Sequence, residues 1–227
     1  NDSADNAYAI YTSGTTGKPK GIIVTHQSYL STIAGYADVF QLNNTSSVIL
    51  QMANVNFDVF CADIARSLCF GNQLVLCTKD EVVDPQLLVN KMTNYQVTFA
   101  EFVPAVLREV SSYLHTEDLT LSSIDTIVVS SDCWYMKDQR QLAQVLADNT
   151  RIFNVYGVTE ATIDSTYIEL TDKTHDHCNI APIGRPFDDT SIIIVDEHLR
   201  ATPLGVVGEL CIGGDSLSAG YLNRPQL

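Results

Sequence analysis

Short β-rich runs alternate with longer helical ones along most of the 227 residues. "YAIYT", "GIIVT", "SVILQ", "QLVLC", "VTFAEF", "IDTIVVS" and "RIFNVYG" read as strands, because β-branched and aromatic residues crowd into runs too short for a helix. Between them lie helical patterns: "HQSYLSTIAGYADVF" behind the cap Thr25, a segment over 58–70, "DPQLLVNKM" with Asp84 as cap and Pro85 in its first turn, and helices starting near Pro104 and Met136. Strands so regularly separated by helices predict an α/β fold of mainly parallel sheets with flanking helices, whose ligands gather at the carboxyl ends of the strands. From about Ile183 the texture changes to "SIIIVDEHL" and "GVVGELCIGG", strand and turn without helices. The expected organisation is an α/β core over 1–182 followed by a β-rich subdomain over 183–227, truncated at "YLNRPQL".

Charge narrows the partners. With 13 basic and 27 acidic side chains the formal net charge is -14, which disfavours bulk attraction to nucleic acid or to an anionic membrane surface. No apolar run is long enough for a membrane span, and "NDSADNAYAI" lacks the basic start and apolar centre of a signal peptide, so a cytoplasmic location is expected. The six cysteines form no CxxC pair and most sit in apolar runs, so they read as reduced core residues. Sequons at Asn1, Asn43 and Asn44 matter only in a secreted protein, and "HDHC" over 175–178 reads as a polar loop rather than a metal site.

The densest cluster of phosphate-binding residue types is "YTSGTTGKPKG" over 11–21. It is not a P-loop: that motif needs glycine where Thr12 stands and a hydroxyl where Pro19 stands. A phosphate role survives on other grounds. Gly14 and Gly17 let backbone N–H groups turn toward an anion, Thr12, Ser13, Thr15 and Thr16 add hydroxyls, and Lys18 and Lys20 add charge.

This loop resembles the phosphate loop of the adenylate-forming enzymes: acyl-CoA synthetases, luciferases and the adenylation domains of nonribosomal peptide synthetases. "NVYGVTEATI" over 154–163 is similar to the family's NxYGPTE segment, and "GELCIGGDSLSAGYLNRP" over 208–225 to its GELxIxGxxxxxGYxxRP segment. "NFDVF" and the "GYLNRP" ending resemble the peptide-synthetase branch most. The resemblance implies that Tyr156 stacks on adenine beside Gly157, that Asn154 hydrogen-bonds the base, that Thr159 touches the α-phosphate and that Glu160 holds Mg²⁺. Val158 departs from the pattern, where proline is usual, which predicts a slightly looser turn. The implied reaction joins a substrate carboxylate to the α-phosphorus of ATP, releases pyrophosphate and passes the acyl group to a phosphopantetheine thiol, with peptidyl carrier and condensation domains as partners.

The substrate is read from the position that matches the family's FD segment. In amino-acid-activating members this aspartate, here Asp58, pairs with the substrate α-ammonium; capping of the helix that starts there is the alternative role. Ala62 lies one turn later and is expected to line the pocket. Motif offsets place Val59, Glu101, Val128, Ser130, Val155, Ile163 and Asp164 beside them. Two further acids in a closed pocket call for a cation, so the substrate expected is an amino acid with a basic side chain, ornithine, lysine or arginine. Glu101 facing a protein cation instead is the competing possibility. Two rival functions stand beside this one: an acyl- or aryl-CoA ligase, in which Asp58 is incidental, and a nucleotide-binding fragment. The fragment reading arises because the family's ribose-gripping aspartate and carboxy-terminal lysine belong to segments outside these 227 residues. The isolated chain is accordingly expected to bind ATP weakly and turn over poorly.

Overall fold

The computed structural model describes residues 2–13, 18–43, 46–170 and 178–227. They pack as two compact units: residues 1–35, 157–166 and 185–227 form the first, and 36–156 with 167–184 the second. This partition differs from a single cut at 182/183, because the amino-terminal strands belong with the carboxy-terminal segment.

In the first unit, β1 (Asn6–Thr12) and β2 (Lys20–Thr25) pair antiparallel with Thr12 opposite Lys20, and β12 (Gly220–Tyr221) adds antiparallel to β2. The phosphate-type loop therefore joins two antiparallel strands. It does not follow the end of a parallel strand, because no helix separates "YAIYT" from "GIIVT". Thr25 accepts a hydrogen bond from Ser28 N–H at 3.1 Å and so caps α1 (His26–Val39). A short strand β9 (Arg185–Pro186) precedes an antiparallel hairpin of β10 (Thr190–Val195) and β11 (Glu209–Gly214), the β-rich texture read from the sequence.

The second unit is the α/β part. Its sheet runs in the order β4 (Gln73–Leu76), β3 (Val48–Gln51), β5 (Phe99–Phe102), β6 (Thr126–Val129), β7 (Arg151–Tyr156), β8 (Thr166–Glu169), and the pairs from β4 through β7 are parallel. The crossovers are α2 (Asp58–Leu68), α4 (Pro85–Asn94), α5 (Pro104–Thr116) and α6 (Met136–Ala143). Proline opens α4 and α5, where its missing N–H costs nothing, and Asp84 caps α4 by accepting from Gln86 and Leu87 N–H. Leu50, Leu88, Met92, Val97, Leu107 and Leu114 form one buried core with Trp134, which is packing rather than a ligand cage.

Several elements escaped the sequence reading, among them two in the second unit. β8 is one, and α3 (Lys79–Val83) is the other, held by a reciprocal capping box between Thr78 and Glu81. Glu81 also accepts from Lys91 of α4 at 2.6 Å. That bond and the Thr78 N–H hold the Glu81 carboxyl down to about 2. A depressed carboxylate stabilises α3 above its unfolded value near 4.5, and that contribution is lost as pH falls through about 2. We therefore expect amide exchange in residues 79–84 to quicken across that acid window, and Glu81→Gln to give the same loosening at neutral pH; because the pair is only partly buried, high salt should mimic part of it.

The cysteines correct the sequence reading in part. All six are free; Cys69 and Cys133 are exposed and the other four partly buried, and of these Cys77 and Cys178 pack against the core as read. No helix among the described residues is long and apolar enough to cross a membrane. His175 and His177 of the "HDHC" segment lie outside the described residues, as do Asn1 and Asn44.

Candidate active site

In the second unit a cavity of about 250 Å³ opens at the carboxyl ends of the parallel strands. Asp58 and Val59 enter it from the first turn of α2, Glu101 from β5, Ser130 and Ser131 from the end of β6, and Val82 of α3 forms a wall. Parallel strands end there with their side chains converging, which is where an open α/β sheet binds ligands. Four of the expected pocket residues, Asp58, Val59, Glu101 and Ser130, are thus brought together.

The others are placed differently. Ala62, Val128 and Val155 are buried in the second unit and do not line this cavity. Ile163 and Asp164 are buried in the first unit, each 4% exposed. Asp58 is the first residue of α2 and Phe57 is its cap, so a carboxylate there is favoured by the helix dipole without serving as the cap itself.

Glu101 is not an uncompensated charge. Its Oε1 accepts from Ser130 Oγ at 2.5 Å, and its Oε2 accepts from Nη1 of Arg66, a fully buried residue of α2. Arg66 also pairs with Asp63 at 3.3 Å, and its guanidinium lies 4.2 Å from the Tyr36 ring centroid. The premise that Glu101 waits bare for a substrate cation is corrected by this protein cation. The sequence signal for it was present: Arg66 is four residues beyond Ala62 and eight beyond Asp58, on one helical face.

In the first unit three motifs converge on Glu160. It lies in a 3-10 turn, Thr159–Ala161, and its Oε1 accepts from Tyr221 Oη at 2.8 Å, with Lys20 Nζ at 4.0 Å. Lys20 in turn sits 4.7 Å from the Tyr221 ring centroid. The hydrogen bond to Glu160, then burial and the carboxylate's charge, raise the Tyr221 phenol above its ordinary range. Tyr221 is the partner that sequence reasoning did not assign, although it stands in the "GYLNRP" segment. Among the described residues no group of three or more acids, histidines and cysteines could hold a metal by itself. A single carboxylate suits Mg²⁺ that completes its shell with phosphate oxygens and water, so Glu160 fits that role.

The remaining motif residues have clear local settings. Asn154 is buried on β7, and its Nδ2 donates to the carbonyl of Pro182 at 2.8 Å. Tyr156 ends β7 half-buried. Gly157 has no room for a side chain: a Cβ would stand 1.8 Å from the carbonyl oxygen of Ile163. Val158 takes φ -134 and ψ 148, far from the φ that proline imposes, so the valine is accommodated by an extended backbone. Thr12, Ser13 and Lys18 flank the phosphate-type loop, while Gly14, Thr15, Thr16 and Gly17 lie outside the described residues.

A chain with a mainly parallel α/β unit and these motifs defines the class. A model of the AMP-binding enzyme family matches residues 1–222, and the chain belongs to that family. It is 41% identical over 221 residues to tyrocidine synthase 3 of Brevibacillus parabrevis, covering 97% of this chain and 3% of that protein. It is 40% identical over 223 residues to gramicidin S synthase 2 of Brevibacillus brevis, covering 98% and 5%. Among solved structures it superposes on the nonribosomal peptide synthetase FmoA3 with TM-score 0.91 and 25% identity, covering 99% of this chain and 24% of that one. It superposes with TM-score 0.86 and 29% identity on the Vibrio cholerae adenylation domain AlmE, solved in complex with glycyl-adenosine-5'-phosphate, covering 99% and 42%. The chain thus spans only a small part of the curated relatives it matches.

Proposed function

We propose that this chain is the core of an amino-acid adenylation domain in a nonribosomal peptide synthetase, activating a substrate with a basic side chain, ornithine, lysine or arginine. The observation that carries the reading is the cavity itself: Asp58 faces it at the start of α2 while Glu101 and Ser130 stand at its strand-end wall. An α-amino acid bound there has its ammonium met by Asp58 and its side chain directed to Glu101. The trio Asp63, Arg66 and Glu101 holds two acids and one base, a formal charge of -1, which favours a cationic side chain beside Glu101. The similarity to tyrocidine and gramicidin S synthases supports the peptide-synthetase assignment.

In this reading a carboxylate oxygen of the amino acid attacks the α-phosphorus of ATP. The bond from that phosphorus to the bridging oxygen breaks, pyrophosphate leaves, and aminoacyl-AMP remains for transfer to the phosphopantetheine thiol of a carrier domain. No protein group need form a covalent bond; positioning and charge neutralisation lower the barrier. Thr159 and the 12–18 loop with Lys18 hold phosphate oxygens, and Asn154, Tyr156 and Gly157 receive the base. When bound at Glu160, Mg²⁺ would supply charge to offset the phosphates. Lys20 and Tyr221 keep the Glu160 carboxylate oriented.

Amino-acid-dependent exchange of pyrophosphate into ATP by the intact protein is the test, run across basic, neutral and acidic amino acids and fatty and aryl acids. Exchange with basic amino acids is the expected result. Exchange with fatty or aryl acids and with no amino acid would make this an acyl- or aryl-CoA ligase, and a preference for neutral aliphatic residues would remove the basic-side-chain assignment.

A further inference from the structure

Arg66 has no part in the reaction as written, yet it is fully buried directly behind the acid that the substrate side chain would meet. Glu101 lines the cavity and Arg66 does not, so the guanidinium reaches Glu101 from the protein side. It is held there by Asp63 at 3.3 Å and by the Tyr36, Phe99 and Phe40 rings, whose centroids lie 4.2, 5.3 and 5.4 Å from it. Burying arginine is costly, and a fully apolar side chain packs such a site as well, so stability alone does not account for it.

We infer that Arg66 is a specificity-determining positioning residue that restricts the side chain taken by this pocket to one ending in a primary ammonium rather than a guanidinium. The inference rests on the adenylation reading and deepens it. A carboxylate recognises guanidinium best through both oxygens at once, two parallel N–H bonds in a fork. Here both oxygens of Glu101 already accept: Oε2 from Arg66 and Oε1 from Ser130. By valence each oxygen keeps room for one more donor, enough for the single-point donor of ornithine or lysine and poorly arranged for the planar fork of arginine. Arg66 thus does two things for Glu101. It fixes the rotamer before substrate arrives, and it occupies the fork that an arginine substrate would need.

The test compares pyrophosphate exchange with lysine, ornithine, arginine and norleucine in the intact wild-type protein and in three variants. Asp63→Asn combined with Arg66→Met removes one acid and one base together, keeps the formal charge at -1 and frees Oε2. We expect the ratio of ornithine or lysine to arginine kcat/KM to fall by about tenfold, the ratio equivalent to 1.4 kcal/mol. Arg66→Lys keeps a cation in the core but not a fork, and should move the ratio the same way by less. Glu101→Gln should remove the preference of both cations over norleucine. Each ratio is taken within one preparation, so loss of folded protein lowers every rate and leaves the ratio alone. Unchanged ratios in both Arg66 variants overturn the inference and leave Arg66 a packing residue. Wild type that answers to neutral amino acids alone overturns the basic-substrate reading instead, without reference to any variant.

Discussion

Asp58→Asn in the intact protein is expected to lower kcat/KM for every amino acid by about 100-fold while leaving the folded structure in place, because losing one partner of a partly desolvated charge pair costs on the order of 3 kcal/mol. Asparagine is the same size, so α2 keeps its packing, and Phe57 remains the helix cap. The effect should fall on the α-ammonium: a des-amino analogue of the same substrate, already poor, should lose little more. An acyl- or aryl-CoA ligase predicts the opposite, a variant with nearly full activity on its acid. A second readout needs no substrate. Burial, and after it the Asp58 charge, push the Cys61 thiol up to about 11. Removing that charge should bring the thiol down from there, seen as faster alkylation of Cys61 in mildly alkaline solution. Unchanged exchange rates together with an unchanged Cys61 would show that Asp58 points its charge elsewhere.

Gly157→Ala is expected to be the most damaging small change in the first unit. The added Cβ would meet the Ile163 carbonyl oxygen at 1.8 Å and the Asp164 Cα at 2.7 Å, both backbone atoms that no side-chain rotation can move. The approach is that close because Thr162 and Ile163 take positive φ values of 55 and 73, folding the chain back over the glycine. A clash of this kind exceeds ordinary overpacking, so a loss of about 3 kcal/mol or more is expected, and at about 2–4 °C per kcal/mol the melting temperature should fall by roughly 6–12 °C. Gly205→Ala is the control. Gly205 has φ +82 but nothing within 4 Å of a new Cβ, so only the backbone penalty of about 1 kcal/mol applies. Equal melting temperatures for the two variants would contradict the crowding argument. The result also separates two meanings of one residue, since Gly157 stands in the nucleotide motif and its packing requires glycine whether or not a nucleotide is bound.

Several elements were legible because local chemistry sets them. Thr25, Asp84, Pro85 and Pro104 mark helix starts by what a first turn lacks or needs, and each stands where the sequence placed it. α3 was missed although Thr78 and Glu81 carry the capping-box spacing, since five residues give little periodicity to notice. The candidate site was legible in part. Asp58, Val59, Glu101 and Ser130 meet in the cavity, whereas Ala62, Val128 and Val155 share the unit without lining it. A motif offset predicts position along the chain, but which side of a buried element faces a cavity depends on the neighbours packed against it.

The sequence by itself determined the α/β alternation, the helix caps and the residue types that mark an AMP-binding enzyme, because these depend on spacing within a few positions. Only the tertiary structure decided what the acids face. Arg66 and Glu101 are 35 positions apart and come together because α2 and β5 pack in one unit. Glu160 meets Tyr221 across 61 positions because β12 returns to β2. Charge compensation of this kind is a through-space quantity, set by distance and burial rather than by order along the chain. That is why Glu101 reads from sequence as a carboxylate waiting for a substrate cation and in the folded protein already holds a cation of its own.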